Sequence, residues 1–399
     1  MFTNKFLTAN TEKLTRLARC FPHYVYEEIM EPIHQIEQES WKNIDAENTM
    51  LDFVFARAMK QFTKDSTDKY EHIYTKKFEI PQIQLFELLI KKFPMISMTQ
   101  QLANTLICER LRGWKEAVLV DIGAGTGYQA REIVRRLGNE PLRQLQKITI
   151  VAIEPFAEAL EAAKQNFEEI AKDVPFEVNY ILKNDFSENM SLQDWSAVLS
   201  GLGDNIVVNA SFALHHIKSN RDRIKVFQNL RDISVRAIVL SEPNVDHYEP
   251  NYYQRFKNCL HLFSLIFEAI DELPLADEEK NALKLFFSRE VDDILGVHES
   301  DRVEKHYAVG QWLALLQEVG FIATKKDLNL YFDNYCSIEI HGSIEIHDSY
   351  YDFWSIRYKD QDVISVIMAE PLEVVLTDLF EKKANKYLVS ISNSEFFNK

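Results

Sequence analysis

The stretch VLVDIGAGTG at residues 118–127 decides the fold. β-favouring apolar residues run into an acid, Asp121, and then into three alternate glycines, Gly123, Gly125 and Gly127; the residues that follow, YQAREIVRRL, have helical periodicity. Strand, glycine turn and helix in that order form the repeating unit of parallel α/β sheets. Glycine supplies positive φ and lets a ligand approach the backbone where a side chain would block it. A helix that starts at such a turn also aims free N–H groups at a polar or anionic ligand. The spacing then separates cofactors. A dinucleotide fingerprint is G-x-G-x-x-G, whereas here Tyr128 stands at the third glycine's place, and the G-K-[ST] of a phosphate-binding loop is absent.

Working outward, strands are expected at 117–122, 148–153, 178–183, 205–210 and 236–241, with helices between several of them, which argues for a parallel sheet covered on both faces. Residues 1–115 read as a helical front piece, as in QIQLFELLIKKF at 82–93, where Phe86, Leu89, Ile90 and Phe93 share a stripe, and MTQQLANTLICERL at 98–111. The core then spans 116–245, a helical cap is inserted after strand five at 246–310, residues 311–371 complete the core sheet, and 372–399 form a helix-like tail. Within 337–349, SIEIHGSIEIHDS is a near-perfect duplication whose alternation puts Ile338 and Ile340 on one face and Glu339 and His341 on the other, so an antiparallel hairpin is the simplest reading. Glu339, His341, Glu345 and His347 on one hairpin face are formally able to bind a transition metal, but such a face is more often solvated, and no metal is assigned.

With 399 residues, 46% hydrophobic and 12% aromatic, the chain is long enough for one large core with attached pieces. Sixty-one acids against 45 bases give a net charge of −16, which repels a phosphate backbone and argues against nucleic acid as partner. Cys20, Cys108, Cys259 and Cys336 are far apart, without metal or disulfide spacing, as expected in a reducing compartment. No secretory leader and no membrane-spanning apolar run is evident, so a cytoplasmic protein is expected, with dedicated export into a host cell an open matter.

The pattern D-x-G-x-G-x-G resembles motif I of the class I S-adenosylmethionine-dependent methyltransferases. That resemblance implies a Rossmann-like sheet, S-adenosylmethionine or S-adenosylhomocysteine as ligand, and roles for particular residues. Asp121 would contact the methionine end, Glu154 in VAIEP the ribose diol, Asp185 in KNDF the adenine amino group, and Phe186 the ring face. NIVVNASFALHHI at 205–217 is similar to the strand-four segment of small-molecule methyltransferases, with Asn209 lining the floor. The alternative is a purely structural glycine turn in another α/β protein. More widely, MTQQLAN, NASFALHHI, SREVDDILGVHESDRVEKH and GQWLALLQEVGF together resemble the GRAS family, over roughly residues 80–370. Arg289-Glu290 stands where plant members have the RE of PFYRE, and Trp312 where their SAW region opens. The intact glycines favour retained cofactor binding, as in bacterial relatives; the resemblance to plant members implies a protein partner instead.

Methyl transfer is an in-line displacement at an activated sulfonium, so the protein chiefly positions the acceptor and removes its proton. His216 or Glu242, with His215, is expected to orient or deprotonate a small-molecule O- or N-acceptor beyond the ends of strands four and five. The competing reading has the two histidines capping or packing. Tyr252, Tyr253, Phe256, Phe263, Phe267 and Phe286 either line a lid over that acceptor or fasten the cap to the sheet. Arg255, Arg289 and Glu290 either form a buried ion pair or contact a substrate, the structural reading being the favoured one.

Overall fold

The computed structural model describes residues 8–21, 27–44, 49–62, 89–90, 92–111, 113–140, 144–324, 343–348 and 352–377. Its centre is a sheet in the order β3-β2-β1-β4-β5-β9-β8-β7, with β6 on β9. The parallel half comprises β1 (Glu116–Ile122), β2 (Lys147–Ile153), β3 (Glu177–Lys183), β4 (Ile206–Ser211) and β5 (Ala237–Pro243), within two residues of the strands expected. β1 is buried along nearly its whole length, as a strand covered on both faces must be. Val118 and Val120 enter one apolar core and Leu119 the other. The chain reverses its strand order at β1, between β2 and β4, so a crevice opens at the carboxyl ends there.

The antiparallel part is larger than the hairpin expected. β9 (Gln361–Pro371) inserts antiparallel beside β5, pairing Glu242 with Ser365, and it carries β8 (Trp354–Tyr358) and β6 (Phe321–Ala323). β7 (Ile344–Asp348), the second SIEIH copy, pairs with β8, Ile346 opposite Ile356. The first copy, with Glu339 and His341, lies outside the described residues, as do residues 82–88 of the stretch expected to be helical and the tail beyond 377.

Helices α1 (Ala9–Ala18), α2 (Glu27–Lys42), α3 (Thr49–Phe62) and α4 (Pro94–Leu111) build the front piece. Helices α5 (Tyr128–Asn139), α6 (Ala157–Asp173), α7 (Leu192–Leu199) and α8 (Asn220–Asp232) flank the parallel strands. The inserted cap is α9 (Tyr252–Asp271) and α10 (Asp277–Gly296), and α11 (Val309–Glu318) returns to the sheet. Front and cap are one packed body. Phe55 meets Phe256 edge-on at 5.3 Å, Phe62 meets Tyr252 at 5.2 Å, and Arg57 bridges to Asp292 at 2.7 Å. Of the aromatics considered for a lid, Phe286 alone lines the cleft; the other five serve packing. Among the described residues no helix is long and apolar enough to cross a membrane.

The glycine turn shows why its residues are what they are. Gly123, Gly125 and Gly127 have φ of 71°, 53° and 70°. A Cβ at Gly127 would lie 2.7 Å from the Phe167 ring, so this glycine lets α5 approach α6. Gly127→Ala is therefore expected to destabilise by about 1–3 kcal/mol, from left-handed strain alone before the clash is added. A urea midpoint equal to wild type would contradict that placement.

Candidate functional site

A cleft of about 1220 Å³ runs from the glycine turn, across the ends of β1 and β4, to the underside of the cap. At its near end Asp121 is buried, and its Oδ1 accepts a 2.7 Å hydrogen bond from Asn209 Nδ2 while Oδ2 has no partner. Burial, opposed by the Asn209 bond and reinforced by the charge of Glu154, pushes the Asp121 carboxyl up to about 7. Asn209 is held in turn by Gln129 of α5, which also donates to Asn104 of α4 at 3.0 Å. The MTQQLAN segment thus reaches the site through Gln100, which lines the cleft, and supports it through Asn104.

Glu154 closes β2. Its Oε2 accepts from Gly125 N at 2.9 Å and its Oε1 from Phe156 N at 3.1 Å, and burial raises its pKa against those two bonds. A Cβ built on Gly125 would meet no protein atom within 4 Å, so this side of the turn is open to the cleft. Asp185 and Phe186 form the adjoining rim; Asp185 Oδ1 accepts from Phe186 N at 2.9 Å, and the Phe186 ring is 43% exposed. After β4 the backbone at Phe212 adopts φ of 54°, unusual for an aromatic residue, and this residue too lines the cleft. Seven of the eight residues expected to bind the cofactor therefore line one cleft; the eighth, Gly127, sits behind it against the Phe167 ring.

The far end is a buried network of histidines and carboxylates. His215 Nδ1 lies 2.5 Å from Glu242 Oε2 and His215 Nε2 3.2 Å from Glu304 Oε2. His216 Nδ1 is 3.6 Å from Glu304 Oε1, and His306 stacks on His215 with ring centres 4.2 Å apart. Burial disfavours a charged ring at His215, but Glu242 and Glu304 outweigh it and raise the pKa to about 10. Burial, then the charge on His215, lowers that of His306.

The three residues expected at the acceptor end take different positions. Glu242 is fully buried behind His215, where Oε1 also accepts from the backbone N–H of Leu214 at 2.9 Å and His215 at 3.3 Å; it positions the histidine turn and does not line the cleft. His215 and His216 both line it. Glu304, His306 and His247 carry no functional signal in the sequence beyond the alternation E-x-H at 304–306, which in extended chain turns two ligand-type residues to one side. Arg302 and Arg223 pin this segment. Arg302 donates to the carbonyls of His247 and Glu304, each at 2.7 Å, and Arg223 ties the carbonyl of Lys305 at 2.6 Å to that of His215 at 3.1 Å. Arg223 also lies 4.4 Å over Tyr307 and 4.9 Å over Trp312, which gives the SAW-like tryptophan a structural task.

This architecture has a match among known proteins: the family model of the GRAS domain covers residues 10–348. The chain belongs to the GRAS domain family. The GRAS family protein RAD1 of Medicago truncatula is 25% identical over 246 residues, covering 60% of this chain and 47% of that protein. DELLA protein 2 of the same plant is 23% identical over 237 residues, covering 57% and 44%. The chain thus spans about half the length of the curated GRAS relatives it matches. Of solved structures, SCL7 of Oryza sativa shares the fold, with a TM-score of 0.74 at 17% identity over 91% of this chain and 100% of that one.

Proposed function

We propose that this GRAS protein binds S-adenosylmethionine, or its product S-adenosylhomocysteine, along the Gly123–Gly127 turn and methylates a small-molecule O- or N-acceptor held beneath the cap. The observation that carries this reading is the buried, unpartnered Oδ2 of Asp121 beside the open face of Gly125. Such an oxygen suits an ammonium group, and the carboxylate of Glu154 keeps acceptor capacity for a ribose diol beyond its two backbone bonds. The bound cofactor supplies a sulfonium methyl group as electrophile. The cleft's volume of about 1220 Å³ exceeds the ~300–1,000 Å³ usual for one small ligand, which leaves room for an acceptor. His215, with both ring nitrogens facing the carboxylates of Glu242 and Glu304, has none left to take a proton from an acceptor. His216, on the cleft wall, is the imidazole left to orient the acceptor and receive the proton it releases.

The experiment is calorimetry with S-adenosylhomocysteine on wild type, Glu154→Ala and Gly125→Val. Micromolar binding in the wild type, weakened at least tenfold in both variants, is the expected result. Absence of binding in the wild type would return the lead to a second reading, that of a non-catalytic ligand-binding or protein-interaction regulator on the same scaffold. That reading draws its support from GRAS membership, through the protein-interaction role that the resemblance to plant members implies.

A further inference from the structure

We propose that His215, Glu304 and His306 form a site for one divalent first-row transition-metal ion on the wall of the cleft. One potential ligand atom from each residue lies within 4.8 Å of the others, and all three residues are buried. Glu304 Oε2 is 3.2 Å from His215 Nε2 and 3.6 Å from His306 Nε2. Ligands bonded at ~2.1 Å to a common ion stand about 3.0 Å apart at octahedral angles and about 3.4 Å apart at tetrahedral ones. The two spacings, 3.2 and 3.6 Å, lie on either side of the tetrahedral value.

Spacing alone would fit an ordinary ion pair, but the unpartnered atoms point further. Neither oxygen of Glu304 and not Nε2 of His306 makes a hydrogen bond of good geometry, although both side chains are fully buried. A buried carboxylate needs a compensating cation. Without metal that cation is the protonated His215 at 3.2 Å, and a metal ion takes its place by displacing the Nε2 proton, as ligation requires the neutral ring. The outer contacts complete the pattern. The Nδ1 of His215 is held by Glu242 at 2.5 Å and the Nδ1 of His306 by His247 Nδ1 at 2.9 Å, which leaves each Nε2 turned to Glu304. Metal-ligating histidines are fixed in this way through their second nitrogen. The backbone is equally constrained, since Asp293 Oδ2 accepts from Val303 N at 2.9 Å and Glu304 N at 2.7 Å.

Two imidazoles and a carboxylate suit zinc, iron, cobalt or nickel, and leave coordination positions for an exogenous ligand. Because His215 and His306 line the cleft, that ligand is an oxygen or nitrogen atom of the molecule the cleft holds. The site does not depend on the methyl-transfer reading, and its test needs neither cofactor nor acceptor.

The full-length chain, stripped with dipicolinate, is titrated with Co2+ and followed by ligand-field absorption, and by NMR for hyperfine-shifted imidazole N–H signals. The expected result is one equivalent of Co2+ per chain, displaced by Zn2+, with shifted resonances from two histidines. Glu304→Gln and His306→Gln should each weaken binding at least a hundredfold. Glu242→Gln, which leaves all three ligands in place, should weaken it about 10–100-fold through the outer contact. Circular dichroism melts identify any variant that fails to fold, and the NMR signature of the wild type needs no variant. The proposal is overturned if the wild type takes up no stoichiometric Co2+, if its Co2+ form lacks shifted imidazole signals, or if affinity is unchanged in folded Glu304→Gln and His306→Gln.

Discussion

Glu242→Ala is expected to destabilise the protein by about 3–5 kcal/mol, the usual cost of removing one partner from a buried charged pair. Three donors converge on that carboxylate: the backbone N–H groups of Leu214 and His215 and the ring of His215, with the side chain wholly buried. Truncation leaves all three without an acceptor in a region that water does not reach, and it leaves the charge favoured at His215 balanced by Glu304 alone. Because Glu242 stands on β5 and the histidines follow β4, the same change loosens the wall of the cleft from the sheet. Glu242→Gln retains an oxygen for the backbone N–H groups and should cost less than half as much. Urea unfolding of both variants in the presence of chelator measures the difference. A loss below about 1 kcal/mol for the alanine variant would mean that the histidine turn is held by Arg223 and Glu304 without it.

Legibility in the sequence followed chain locality. Asp121, the glycines, Glu154, Asp185 and Asn209 each lie at or just after the end of a parallel strand, so the strand pattern alone brings them to one edge of the sheet. Gly123 and Gly127 are fixed by close neighbours, Ala213 and Phe167, which no local pattern reveals. Glu304 and His306 were not legible, because they follow two cap helices and meet His215 only through the tertiary pinning by Arg302 and Arg223. The cap aromatics show the limit of periodicity. It indicates that Phe256 and Phe263 are buried, and not that Phe55 and Phe287 are what they are buried against. The SIEIH repeat shows the same limit. Its alternation identifies the strand in the second copy, and not that β8 pairs with it, Ile346 opposite Ile356.

Asp121→Asn is expected to make the unliganded protein more stable at neutral pH while removing most of its affinity for S-adenosylhomocysteine. In the folded chain the carboxyl titrates near 7 instead of its ordinary 3.8, with burial as the main cause. Between those two values the folded state keeps a proton that the unfolded state releases. Stability from this residue is therefore greatest at low pH and falls as pH rises from about 4 to about 7, after which the penalty is constant. Moving a titration midpoint by one pH unit is worth about 1.4 kcal/mol. Asparagine, which has no proton to lose and still accepts from Asn209, should therefore recover on the order of 1–3 kcal/mol at pH 8 and nothing at pH 4. Ligand binding should move the other way. An ammonium group beside an ionised Asp121 gains a charge-assisted hydrogen bond of about 1.5–3 kcal/mol, or roughly 10–100-fold in affinity. Wild-type affinity should accordingly rise with pH up to about 7 and level off, whereas the asparagine variant should bind weakly with no such rise. Thermal melts and calorimetry at pH 5, 6, 7 and 8 separate the two effects. A variant that melts below wild type at pH 8, yet binds S-adenosylhomocysteine as tightly, would make Asp121 a structural acid, because a carboxylate held for a cationic ligand costs stability until that ligand arrives.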